Sequence, residues 1–64
     1  MTLKEHIKNG NMIKAVIKKN KRLNIFIISY DKDNYIATDL KTNEQQKIND
    51  IDKFLKQVEI WKQI

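Results

Sequence analysis

Eight residues, Leu23-Asn-Ile-Phe-Ile-Ile-Ser-Tyr30, constrain the fold more than any other part of this chain. The run is β-branched and aromatic at odd and even positions alike, so a strand built from it presents apolar side chains on both faces. A central strand of a closed barrel, or one covered by a helix, keeps both faces from being fully wet. Lys19-Asn-Lys-Arg22 precedes it as a polar turn, in which Asn20 is suited to the positive φ of a hairpin. Before that turn the pattern has period two. Ile13, Ala15 and Ile17 point one way and Lys14, Val16 and Lys18 the other, which makes a strand with a mostly basic outer face.

The meander continues with Asp31-Lys-Asp-Asn34 as a turn of side chains that bond their own backbone. Tyr35 to Leu40 returns as a third strand with Ile36, Thr38 and Leu40 on one face. Lys41-Thr-Asn-Glu44 turns again, and Gln45 to Ile48 forms a short fourth strand. Helices are expected at both ends. Thr2-Leu-Lys-Glu5 fits a capping box and Asn9-Gly10 a helix stop, with Leu3 and Ile7 sharing a face. After Ile48 the period becomes 3.6: Ile51, Phe54, Leu55, Val58 and Trp61 form one stripe, with Asn49 or Asp50 as N-cap. The stripe predicts a C-terminal amphipathic helix from about Ile51 to Lys62. A competing reading takes the local alternation of Gln57 to Trp61 as a fifth strand.

With 64 residues the expectation is one domain, 1–64. Such a chain buries only about 60% of the surface it exposes when unfolded, so it gains much from a partner subunit. The absence of cysteine removes disulfides and thiolate metal sites and suits a reducing cytoplasm. One histidine, His6, one glycine, Gly10, and no proline leave no Ser-His-Asp triad, His-rich cage or Gly-rich phosphate loop, so no catalytic residue, metal or cofactor is expected. His6 reads as an exposed helix residue. Asp31/Asp33 and Asp50/Asp52 sit where turns and helix starts favour aspartate. No apolar run approaches the roughly 20 residues that span a bilayer, so no membrane partner is expected.

Thirteen basic residues against eight acidic ones give +5, and the excess is uneven. Residues 1–22 carry +6 and the remainder −1. That distribution fits a surface that meets polyanions; lysines that merely keep an Ile-rich chain in solution are the plainer reading.

Asn20-Lys-Arg-Leu23 followed by Ile27-Ile-Ser-Tyr-Asp31 resembles the stretch of Hfq in which an Asn-Gly hairpin leads to a leucine and then to a hydrophobic-x-Ser-Phe-Asp ending. Tyr30-Asp-Lys-Asp-Asn-Tyr-Ile36 is similar in length to the first Sm motif, Phe-Asp-x-x-Met-Asn-Leu. Lys47-Ile-Asn-Asp-Ile51 occupies the place of the second, Tyr-Lys-His in Hfq or Arg-Gly-Asn in Sm proteins. The resemblance, over roughly Leu3 to Ile51, implies a mainly β fold: a small antiparallel Sm/SH3-like β-barrel of four to five strands with a short N-terminal helix. It also implies self-association and RNA binding. The sequence departs from the family at Lys21 and Ile25, where Hfq has glycines, and at Asn49, nearest to the motif histidine. A C-terminal helix in place of the fifth strand would remove one of the two edges through which Sm subunits pair into rings.

Lys18, Lys19, Lys21 and Arg22 are candidates to follow a phosphate backbone; a solvated turn is the plainer reading. Tyr35, in the place of the base-contacting asparagine and beside Lys32, could stack a base or be a half-buried strand tyrosine. Lys47 and Asn49 could meet phosphate and a base edge. Phe54, Val58 and Trp61 pack on the barrel or form an oligomer or partner surface. The expectation is a non-enzymatic, cytoplasmic, Sm-like homo-oligomer that binds single-stranded RNA. The alternatives are a phage- or plasmid-type regulator that grips a protein through its last helix, and an SH3-like barrel that binds duplex DNA.

Overall fold

The computed structural model describes residues 2–64. Helix α1, Leu3–Lys8, begins where the Thr2 hydroxyl accepts from the Glu5 amide at 3.2 Å. It ends at Gly10, whose φ of +98° costs little without a Cβ, and whose amide reaches the Ile7 carbonyl. Five strands follow in one antiparallel sheet: β1 Ile13–Lys19, β2 Arg22–Asp31, β3 Asn34–Asp39, β4 Gln45–Ile48 and, after helix α2 at Ile51–Lys56, β5 Val58–Gln63. Their order across the sheet is β4-β3-β2-β1-β5.

The alternation in β1 works as the pattern requires. Ile13, Ala15 and Ile17 are buried, while Lys14 and Lys18 are exposed. Ile13 pairs with Ile28 and Ala15 with Phe26, so β2 contributes Phe26, Ile28 and Tyr30 to the same inner face. Ile7 from α1 closes over Ile13, Ala15 and Ile28, and Leu3, Tyr35, Ile48, Phe54, Leu55 and Val58 pack around them. Both helices therefore lie against one face of the sheet. The core holds no buried polar side chain among the described residues, so nothing there offsets apolar burial as the source of stability.

Three expectations are corrected. The C-terminal helix does not run to Lys62: α2 stops at Lys56, where the Gln57 amide bonds the Phe54 carbonyl, and the chain turns into β5. The buried β1 needs a second partner for its backbone groups, and Val58 to Gln63 supplies it, with a register shift between Val16 and Ile17 that leaves Glu59 unpaired. The Phe54/Val58/Trp61 stripe is accordingly split between two elements. Phe54 meets Phe26 edge-on at 6.0 Å, and Trp61 lies 44% exposed on the edge strand.

The second correction concerns the end of β3. Ile36 and Thr38 share a face as the alternation requires, the outer one, because Ala37 pairs with Ile28 and takes the buried position. Leu40 falls beyond the end of the strand. His6 is half-buried instead of exposed. Its Nε2 meets Gln63 Oε1, and its ring lies 6.0 Å from that of Trp61. Because Gln63 Nε2 donates to the Met12 carbonyl, Oε1 is the acceptor and His6 the donor.

Candidate nucleic-acid interface

Lys18, Lys19, Lys21 and Arg22 come together on the β1–β2 hairpin. Lys19 pairs with Arg22 and Lys18 with Leu23, which leaves Asn20 and Lys21 as the two turn residues. Their φ values are +52° and +63°, the left-handed pair that lets a two-residue turn match the twist of its strands. Pleating sets Lys19 and Arg22 on one face of the hairpin and Lys18 on the other. Lys19, Asn20, Arg22 and Asn24 line a shallow depression beside the turn. All four cations are exposed, and the one ion pair among the described residues is elsewhere, between Lys4 and Asp52 at 3.5 Å. The hairpin thus concentrates four positive charges with no acid to compensate them.

Lys32, Tyr35, Lys47 and Asn49 lie at the opposite end of the sheet. β2 runs ten residues from Arg22 to Asp31, roughly 30 Å of extended chain between the two sets. Lys32 and Asp33, at φ +49° and +66°, make the β2–β3 turn, and the Asn34 side chain ties it by donating to the Lys32 carbonyl. Tyr35 pairs with Tyr30 on one side and Ile48 on the other. Its ring is half-buried on the inner face, tilted 63° against Tyr30 at 4.9 Å, and its hydroxyl donates to the Lys4 carbonyl. The ring is thereby held under α1. Tyr30 donates to Asp33 Oδ1 at 3.4 Å; partial burial first, and the Asp33 carboxylate second, hold its phenol above the ordinary value. Lys47 pairs with Ile36 and points outward, and Asn49 stays exposed because Asp50 takes the cap, accepting from the Lys53 amide at 3.1 Å.

Comparison with family models, curated proteins and solved structures finds no match. The chemistry of the surface must carry the functional argument. Among the described residues there is no group of three or more His, Asp or Glu side chains placed to hold a metal ion, and no helix long and apolar enough to cross a membrane. Two cations absent from the sequence-based candidates, Lys14 and Lys62, stand directly opposite each other on the outer face. They are 48 residues apart in sequence. Only the alternation of Gln57 to Trp61, read as a strand, could have brought them together.

Proposed function

We propose that this chain is a non-enzymatic, Sm-like protein that closes as a small barrel, assembles as a homo-oligomer and holds single-stranded RNA at its β1–β2 hairpin. The observation that carries the reading is that hairpin: four exposed cations on one tight turn with no acidic partner, suited to phosphate contacts without base specificity. The element order supports the architecture, since a helix, four meandering strands and a fifth strand is the order of the Sm/Hfq barrels, here with α2 set between the fourth and fifth strands. β5 also supplies the second sheet edge that a C-terminal helix would have removed. Lys32, Lys47 and Asn49 are exposed at the far end of the sheet, where Lys47 and Asn49 line one depression and Tyr35 is held on the inner face. The cysteine-free sequence suits a cytoplasmic setting.

Titration of labelled oligo-U, oligo-A and duplex DNA at two salt concentrations tests this reading. Affinity for single strands should fall with salt, with a slope near −0.7 per neutralised phosphate. Replacing Lys18, Lys19, Lys21 and Arg22 by glutamine should flatten the slope by about 2–3 units. Preference for the duplex would favour DNA binding by an SH3-like barrel. Equal weak binding to all three would end the RNA reading.

A further inference from the structure

α1 and α2 cover one face of the sheet, and the other carries a contiguous apolar surface. Ile60, Val16 and Ile25 are direct cross-strand partners on β5, β1 and β2. Leu40 adjoins them, its amide bonded to the Ile25 carbonyl at 3.1 Å, and Leu23 follows Ile25 on the same face. Leu23 is 69% exposed, Ile60 62%, Leu40 42% and Ile25 36%. Lysines border this surface: Lys14 stands opposite Lys62 in the neighbouring row, and Lys18 opposite Leu23. Directly opposed like charges repel across a ladder, and none of these three is paired with an acid among the described residues. Asp39 and Lys41 also line the depression between Leu23, Ile25 and Leu40, so the face combines exposed apolar area with an excess of lysines over acids.

We infer that this outer face docks an acidic, amphipathic α-helical segment of a partner protein. Such a helix places apolar side chains at i, i+3, i+4 and i+7 over Leu23, Ile25, Ile60 and Leu40, and carboxylates along its border against Lys14, Lys62 and Lys18. The dimensions agree. From Leu23 to the lysine row at Ile27, which pairs with Lys14, is about 13 Å along β2, and the step from β5 to β2 is about 10 Å, the footprint of two to three turns of one helix about 10 Å across. A nucleic acid would satisfy the lysines and leave the apolar side chains uncovered. A second copy would bring the same lysines face to face.

Lys18 borders both this face and the hairpin, so the test rests on Lys14 and Lys62, which lie outside the hairpin. The full chain, labelled with ¹⁵N, is titrated with a synthetic helical peptide carrying leucines on one face and glutamates beside them, with its lysine-for-glutamate counterpart, and with oligo-U. The acidic peptide should move the amides of Val16, Ile25 and Ile60 and bind about tenfold more tightly than the basic one. Lys14→Glu with Lys62→Glu should reverse that order. Ile25→Ser with Ile60→Ser should weaken the acidic peptide about tenfold, while the dispersed spectrum shows that the variant remains folded. Absent or equal binding of the two peptides would overturn the inference. So would shifts confined to the helix-covered face, displacement of the peptide by oligo-U from these same amides, or concentration-dependent shifts of Val16 and Ile25, away from the sheet edges, with no peptide added.

Discussion

Five non-glycine residues, Asn20, Lys21, Lys32, Asp33 and Asn43, hold positive φ, and Lys21 is the one with neither a short polar side chain nor a local hydrogen bond to ease it. The left-handed region costs an L-residue roughly 1–2 kcal/mol. Lys21→Gly should therefore raise stability by about 1 kcal/mol, less the added freedom of the unfolded chain; an unchanged or lower melting temperature would refute the strained turn. Tyr30 offers a second residue-level test. Its phenol ionises at higher pH in the folded state than in the unfolded chain. The stability this confers is fully present below about pH 10 and is lost as pH rises through the folded value. Chemical denaturation at pH 8 and 10.5 should show Tyr30→Phe losing less stability than wild type over that interval. Equal losses would mean that burial and Asp33 do not reach the hydroxyl.

Among the elements, α2 and β5 divide the apolar residues that a single helix would have aligned, and the division ranks their substitutions. Phe54 packs edge-on against Phe26, and its neighbours Leu55 and Val58 also touch the core. Phe54→Ala should cost about 3 kcal/mol, enough to unfold much of so small a domain. Trp61 is nearly half exposed, with His6 beside it, so Trp61→Ala should cost about 1–2 kcal/mol, well below the 3–5 kcal/mol of a buried tryptophan. Thermal melts of the two variants decide it. The reverse order would restore the long helix and remove β5.

At the scale of the whole molecule, β4 and β5 are the two ends of the sheet order, and each pairs with a single neighbour. An unpaired edge is a template for another chain. A homo-oligomer is expected at micromolar concentration, and sedimentation that shows only a 7.7 kDa species across that range would remove the expectation. The distance between the hairpin cations and the Lys32/Lys47/Asn49 end also matters at this scale. A single-stranded ligand that used both would have to cross the length of β2, so the two clusters should act additively when mutated together.

The sequence alone determined the features that depend on near neighbours: the capped α1, the buried side of β1, the turn at Asn20 and the cationic hairpin. Each follows from side-chain period or backbone preference within a few residues, and local chemistry is enough to place it. Only the tertiary structure decided the others. Residues 58–63 satisfy a helical period and a strand period alike, and the choice went to the strand because β1 presents a buried edge whose hydrogen-bonding groups need a partner. Ile36 and Thr38 face outward because the β2–β3 register pairs Ala37 with Ile28 on the helix-covered face. Tyr35 was drawn under α1 by Tyr30 and the Lys4 carbonyl, and Lys14 met Lys62 through a pairing that no local pattern specifies. Periodicity records which residues can share a face; which face is buried is settled by what packs against it.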